Sequence, residues 1–221
     1  MIKLIFYECV TWNMHSEKLQ SSFQKFGELL DVRFSKGVFT TEDSVRYTFF
    51  DALHSELGTA PEDIILEAPH PYIERKKMDM LIPEREDSPE MVCEFKFHGK
   101  LPSEQHQPRT QKAGELFVDI SRLAIYKKKR QKTRCFLVYV TEFEMANYLS
   151  NDANRLDDFF NLLPDETLRI NAEYFDNRPE TFTNAASVYG IEECDLSHSF
   201  SISRDLQNKY FVRIFEINQP K

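Results

Sequence analysis

Met91-Val92-Cys93-Glu94-Phe95-Lys96-Phe97-His98 is the stretch on which the fold prediction depends. Its valine and phenylalanines favour an extended strand, in which successive side chains point to opposite faces. One face is wholly apolar and carries Met91, Cys93, Phe95 and Phe97. The other carries Val92, Glu94, Lys96 and His98. An acid and a base inside such a strand sacrifice packing, and this placement indicates a function.

A second extended segment precedes this strand, at about residues 72–82. The connection between the two, residues 83–90, is rich in proline and charge and suits a solvated turn. The two segments therefore predict a β-hairpin. Asp79 stands between Met78 and Met80 in the first segment, and the hairpin can bring its carboxylate beside Glu94.

This set of side chains is typical of metal-dependent phosphodiester hydrolysis. Two carboxylates set close together repel each other unless a cation lies between them. Mg²⁺ prefers hard oxygen ligands and takes one or two protein carboxylates, and we expect Mn²⁺ to substitute for it. A lysine beside that cation can orient or deprotonate a bound water, while the cation neutralises charge on the phosphate.

Helical periodicity predicts two helices before the hairpin. The first begins at Ser16 as N-cap and buries Leu19, Phe23, Phe26 and Leu30. The second begins near Thr40 or Thr41, stops at Gly58, and has its apolar stripe at Val45, Phe49, Ala52 and Leu53. Residues 1–9 are predicted to form a strand rather than a secretion signal.

After the hairpin, the pattern predicts a long helix from about Thr110 and a buried strand over residues 134–141. The apolar face of that helix comprises Ala113, Leu116, Phe117, Ile120, Leu123 and Ala124. The last third predicts helical pieces at residues 143–149 and 156–163, and strands at 168–175 and 209–217. Helix, hairpin, helix and strand together predict a mixed sheet with helices on its faces.

Asp79, fourteen intervening residues and then Glu94-Phe95-Lys96 resemble the PD-(D/E)XK nucleases, which include many restriction endonucleases. Met78 stands where the family motif has proline. The resemblance implies an α/β, restriction-endonuclease-like core: a mixed central β-sheet flanked by helices. It covers about residues 40–141 of a single predicted domain, 1–221, in which residues 142–221 are a C-terminal elaboration.

The resemblance also implies roles. Asp79 and Glu94 would bind Mg²⁺, and Lys96 would assist the attacking water. The family usually adds an acid on the preceding helix, where Glu42 aligns with the core-facing stripe and Asp51 and Glu56 are rivals. On the following helix Gln111 is the candidate for a further polar group at the site. The catalytic set is then Asp79, Glu94, Lys96, Glu42 and Gln111, with Asp79, Glu94 and Glu42 as metal ligands.

Two other interpretations of the motif stay open. E-x-K occurs twice, at Glu74-Arg75-Lys76 and at Glu94-Phe95-Lys96, so the tripeptide alone is weak evidence.

In the first alternative interpretation, Glu94 and Lys96 form an ion-pair ladder on a solvated sheet face. The function predicted first is an Mg²⁺-dependent endonuclease acting on DNA in restriction or mobile-element defence. The alternative is a catalytically inactive restriction-endonuclease-like module that binds nucleic acid or protein. His98, at the strand end, is more typical of an incidental histidine.

Net charge is −8, which opposes binding to nucleic acid unless positive charge is gathered on one face. Such a gathering, the basic run, comprises Lys127, Lys128, Lys129, Arg130 and Lys132. It is predicted to contact the phosphate backbone of DNA, although a solvated helix end complementing the dipole would look the same.

Composition limits the setting of the protein. Hydrophobic residues make up 41% and charged residues 29%, as in ordinary globular domains, and apolar runs are too short for a membrane span. Four cysteines without a C-x-x-C pair argue against a zinc or iron–sulfur site and favour the reducing cytoplasm. A homodimer is a further expectation, with residues 151–203 as the place for a dimer contact or substrate selection.

Overall fold

The computed structural model describes residues 2–86, 88–99, 107–204 and 210–220, with side chains from residue 16 onward. Over these ranges, seven strands form one mixed sheet in the order β1-β2-β3-β4-β7-β6-β5. The strands are β1 (Ile65–Pro69), β2 (Lys77–Ile82), β3 (Met91–His98), β4 (Arg134–Glu142), β5 (Thr167–Ile170), β6 (Cys194–Arg204) and β7 (Tyr210–Asn218). The α-helices of the same ranges are α1 (Ile2–Ser35), α2 (Glu42–Leu57), α3 (Arg109–Lys129), α4 (Phe143–Leu149), α5 (Asp157–Phe160) and α6 (Glu180–Ala186).

The predicted hairpin is confirmed, but its first strand begins at Lys77 rather than near residue 72. β2 and β3 pair antiparallel, while β3 and β4 pair parallel across the crossover that contains α3. The other neighbouring strands in the sheet are antiparallel. This topology confirms the coarse prediction of a mixed sheet flanked by helices.

The two faces of β3 pack against different layers, as the side-chain alternation predicts. Met91, Cys93, Phe95 and Phe97 join a core formed with α1 and α2. Val92 joins the core on the other side, formed with α3 and the C-terminal helices. Glu94 therefore lies beneath α3 rather than on a solvated sheet face, which argues against the solvated ion-pair ladder.

The second helix forms as its sequence predicts. Thr41 is the N-cap, its hydroxyl accepting from the Ser44 amide at 3.2 Å, and Gly58 ends the helix in the left-handed conformation at φ 68°. The buried residues of α2 are the predicted Val45, Phe49, Ala52 and Leu53.

The predicted strand over residues 1–9 is wrong, because α1 already begins at Ile2. Ser16 therefore lies inside this helix and is not its N-cap. Several β-branched and aromatic residues near the start favour a strand, but no proline or glycine precedes Gly27 to interrupt the helix. Leu19, Phe23, Phe26 and Leu30 are buried as predicted.

Residues 142–221, predicted to elaborate the core, supply β5, β6 and β7 of the same sheet. β7 lies between β4 and β6 in the sheet, and β4 is the strand that follows the α3 crossover. The predicted strand over 168–175 is correct only as far as Ile170, and Glu173–Phe175 forms a 3₁₀ turn instead. Among the described helices, none is long and apolar enough to cross a bilayer.

Candidate active site

The site lies where the two strands of the hairpin separate. Their pairing runs from Ile82 and Met91 to Met80 and Cys93, one residue short of Asp79 and Glu94. Beyond that point the amide of Phe95 donates to Asp79 Oδ2 at 2.8 Å. The Asp79 carboxylate thus accepts a hydrogen bond from a backbone amide on the edge of β3 that faces β2.

Glu42 continues this pattern from the first turn of α2. The amide of Phe97, two residues along the same edge of β3, donates to Glu42 Oε2 at 3.2 Å. Burial raises the pKa of Glu42, against the opposing effects of Lys96 and of the Phe97 hydrogen bond. The structure therefore brings the predicted auxiliary acid to the strand that carries Glu94 and Lys96. Its rival Asp51 is exposed and lines a cleft between α1 and α2.

Lys96 lies between two carboxylates. Its Nζ is 3.6 Å from Asp119 Oδ2 and 3.8 Å from Glu42 Oε2. Burial lowers the pKa of Lys96, but Asp119, Glu42 and Glu115 outweigh that effect, so that its pKa lies above the ordinary value. The lysine is therefore an ammonium held in place on both sides.

Glu94 is the most deeply buried carboxylate of the site, with 1% of the residue exposed. Nη2 of Arg122 lies 3.0 Å from its Oε1. Despite this contact, neither Glu94 oxygen has a partner in hydrogen-bond geometry among the described residues. Burial raises its pKa well above the ordinary value, Asp119 and Asp79 raise it further, and Arg122 opposes them.

Asp119 and Arg122, both on α3, belong to the site but are missing from the predicted set. Arg122 Nη1 lies 3.1 Å from Asp119 Oδ1, so that this arginine connects Asp119 with Glu94. Burial raises the pKa of Asp119, against the effects of Lys96 and Arg122. The sequence feature that could have indicated Asp119 as a site residue is its position between Val118 and Ile120, in the apolar part of the helix.

Gln111 lies near the start of α3, away from the carboxylates at the centre of the site. Its Nε2 donates to Glu115 Oε1 at 3.5 Å, and its side chain lines a cleft against α6. Gln111 is therefore linked to Lys96 only indirectly: it contacts Glu115, and Glu115 is one of the carboxylates that raise the pKa of Lys96. His98, further along β3, is buried and shares a hydrogen bond of 3.1 Å with the Tyr139 hydroxyl.

A second arginine approaches the site from α2. Arg46 Nη2 lies 3.3 Å from Asp79 Oδ1, and its Nη1 lies 3.1 Å from Glu67 Oε1. The centre of the site thus contains four carboxylates and three cations within the described chain. The carboxylates are Glu42, Asp79, Glu94 and Asp119, and the cations are Arg46, Lys96 and Arg122.

The donor set suits one hard cation. Over the described ranges, no group of three or more histidine, cysteine, aspartate or glutamate side chains is positioned to hold a metal ion. Mg²⁺ nevertheless needs only one or two protein carboxylates because it retains several waters. Glu94 offers buried oxygens without hydrogen-bond donors, and Asp79 is close enough to raise the Glu94 pKa. These two residues fit such an ion.

The basic run lies at the C-terminal end of α3, and part of it is engaged in the fold. Lys127 Nζ donates to the Thr133 carbonyl at 2.6 Å, and Lys128 Nζ lies 2.7 Å from Glu192 Oε1. Lys129 and Lys132 are exposed. The helix end therefore combines structural cations with exposed ones.

Comparisons with known proteins assign no family to this chain. A scan against protein-family models finds no match, and searches of curated proteins and of solved structures find none either. The resemblance to the PD-(D/E)XK nucleases rests on the motif formed by Asp79, Glu94 and Lys96.

Proposed function

We propose that the protein is an Mg²⁺-dependent phosphodiesterase of the PD-(D/E)XK type that cleaves DNA. The observation that carries this proposal is the site at the divergence of β2 and β3. There Asp79 and the buried Glu94 lie beside each other, and Lys96 stands two residues further along the same strand face. This combination supplies two hard oxygen ligands and a charged group next to them.

Each residue has a role that its contacts support. Asp79 and Glu94 would hold the metal ion, with Glu42 as the auxiliary acid. When bound, the ion would lower the pKa of a water and stabilise charge on the phosphate. Lys96 orients the attacking water. Glu42 and Asp119 hold the Lys96 ammonium in place from both sides. Arg122 positions Glu94 from α3.

A second candidate function is a binding module that keeps this architecture without cleaving a substrate. The pairing of both metal-binding candidates with arginine supports it. Arg46 forms an ion pair with Asp79, and Arg122 forms one with Glu94. These two arginines supply positive charge at the place where a metal ion would supply it. A site of this kind has no requirement for a divalent metal.

A cleavage assay combined with metal titration separates the two functions. Purified protein is incubated with single-stranded, linear duplex and supercoiled DNA in Mg²⁺, Mn²⁺ or Ca²⁺. We expect cleavage with Mg²⁺ and Mn²⁺, little with Ca²⁺, and a loss of at least about a hundredfold in Lys96→Ala. Lys18→Ala, a change on the exposed side of α1, is the matched control and should cleave normally.

Two results would contradict the nuclease proposal. Cleavage that persists unchanged in Lys96→Ala would remove the lysine from the mechanism. Absence of calorimetric Mn²⁺ binding, together with absence of cleavage, would favour the binding module. An RNA substrate cleaved faster than DNA would change the substrate but keep the chemistry.

The setting of this activity is part of the proposal. The thiols of Cys93, Cys135 and Cys194 are free and buried, which suits a reducing cytoplasm. Cleavage of both strands of a duplex by one centre per chain would favour a homodimer. Restriction or mobile-element defence is the role that fits a nuclease of this size.

A further inference from the structure

A basic and aromatic surface lies beside the candidate active site, where the turn before β2 meets the end of α3. The basic-aromatic strip consists of Tyr72, Arg75, Lys76, Lys77, Arg130 and Tyr189. Its four cations are exposed, as is Tyr72, while Tyr189 is half-buried. In a protein of net charge −8, this is a local concentration of positive charge.

The strip is connected to the active site through Arg122. The guanidinium that contacts Glu94 also donates to the Lys77 carbonyl. The backbone carbonyl of Arg122 accepts from His70 Nε2 at 3.3 Å, and the His70 amide donates to the Lys76 carbonyl at 2.7 Å. The turn that carries the strip is thus fixed to the residue that positions Glu94.

Two cations of the strip contact aromatic side chains. Arg130 Nε donates to the Tyr72 hydroxyl at 3.3 Å, and Lys76 Nζ lies 5.5 Å from the centroid of the Tyr189 ring. The other two form exposed ion pairs, Lys77 with Glu67 at 3.5 Å and Arg75 with Glu74 at 3.3 Å. Exposed pairs contribute little free energy and exchange readily for a phosphate.

Tyr72 is held in place while part of its ring stays in solvent. Its ring meets His70 edge-on at a centroid distance of 6.1 Å and meets Tyr126 at 5.7 Å, yet 39% of the residue is exposed. A fixed, partly exposed aromatic ring among cations is the arrangement by which proteins stack an unpaired base between phosphate contacts.

We propose that the basic-aromatic strip binds single-stranded nucleic acid and leads it to the candidate active site. The cations contact successive phosphates, and Tyr72 stacks on a base. A base pair inside a duplex has no free face for this ring, so the strip prefers a single strand to a duplex. The proposal rests on the proposed nuclease function for its purpose, but the binding step needs no metal.

The test measures binding without cleavage. A fluorescent thymidine oligonucleotide of about fifteen nucleotides and a duplex of equal length are titrated in EDTA, with anisotropy as the readout. We expect tighter binding of the single strand. Tyr72→Ala should weaken that binding roughly tenfold and leave the duplex unchanged, whereas Tyr72→Trp should retain it because the stacking surface remains.

A charge-matched pair of variants tests the cations. Lys76→Gln with Arg130→Gln removes two positive charges from the strip, and Lys18→Gln with Lys36→Gln removes two from the α1 side of the sheet. The first pair should reduce the slope of log affinity against log salt by about 1.4, since each single-strand phosphate contact contributes about 0.7. The second pair should leave the slope unchanged.

Several outcomes would overturn the proposal: equal binding of duplex and single strand, an unchanged affinity in Tyr72→Ala, or equal effects of the two charge pairs. Failure of the strip and failure of the nuclease are distinguishable. DNA cleavage without binding through the strip overturns this inference alone. Strip-dependent binding in EDTA, without cleavage in Mg²⁺, overturns the nuclease and leaves the strip.

Discussion

Arg122 Nη2 lies 3.0 Å from Glu94 Oε1, and this contact joins the helix after the hairpin to the most buried carboxylate of the site. The same guanidinium contacts Asp119 and donates to the Lys77 carbonyl. One side chain thereby fixes β3, the start of β2 and α3 relative to one another. Removing the cation of a buried ion pair leaves the carboxylate charge without compensation.

Arg122→Met should destabilise the fold by about 3 kcal/mol, because Glu94 and Asp119 lose the cation beside them. Urea unfolding in EDTA measures the change. In a Glu94→Gln background the same substitution should cost at least about 1 kcal/mol less, since contacting residues are coupled. Equal costs in both backgrounds would show that the contact carries no coupling energy.

Glu94→Gln should stabilise the protein in EDTA by about 1 kcal/mol, a rise in Tm of about 3 °C for a chain of this size. Burial, Asp119 and Asp79 together raise the pKa of Glu94 against the effect of Arg122, so the surroundings of this carboxyl disfavour its charged form. The neutral amide removes that cost, and Arg122 keeps Asp119 as its partner. Differential scanning fluorimetry with and without Mn²⁺ tests both parts. Mn²⁺ should raise the Tm of the wild type and not that of the variant; a metal response in both would remove Glu94 from the ligand set.

His98 should make the fold less stable as the pH falls. Burial, together with Lys96 and Lys112, lowers the pKa of His98 to about 3, whereas an unfolded histidine titrates near 6.5. The unfolded state therefore binds a proton that the folded state excludes between these values. The contribution of neutral His98 to the unfolding free energy is therefore full above about pH 6.5 and is lost progressively as the pH falls towards 3.

His98→Asn tests this dependence, because asparagine keeps a polar group beside the Tyr139 hydroxyl but does not titrate. The loss of unfolding free energy between pH 7 and pH 5 should be about 2 kcal/mol smaller in the variant than in the wild type. Urea unfolding at the two pH values gives this difference directly. Parallel losses in the two proteins would show that other groups cause the acid sensitivity.

The residues of the hairpin could be predicted because their geometry is local. Alternation along β3 places Glu94 and Lys96 on one face, and a short connection brings Asp79 close. Asp119 and Arg122 could not be assigned in the same way. Their contacts depend on where α3 crosses β3, which helical periodicity does not determine.

Two errors in the predicted elements have physical reasons. Strand propensity at the start of the chain gave way to helix propagation, because a helix without breakers continues through residues of moderate propensity. β6 was missed although its sequence alternates. In the sequence, Leu196, His198, Phe200 and Ile202 alternate with serines, and this alternation was a usable strand signal. In the structure a register shift between His198 and Phe200 interrupts the pattern, so that Leu196 joins the core with α3 whereas Phe200 and Ile202 pack against the core with α1 and α2.

Thr41→Ala should weaken the fold and the site together. The Thr41 hydroxyl caps α2, and Glu42 follows it directly and accepts from the Phe97 amide. Loss of the cap should reduce the unfolding free energy by about 1 kcal/mol, whereas Thr41→Ser retains the hydroxyl and should match the wild type. A fraying first turn also moves Glu42 away from Lys96, so DNA cleavage should slow by about tenfold at saturating substrate while the KM stays within about twofold. Cleavage at the wild-type rate in a protein shown to be destabilised would mean that Glu42 has no part in holding the lysine.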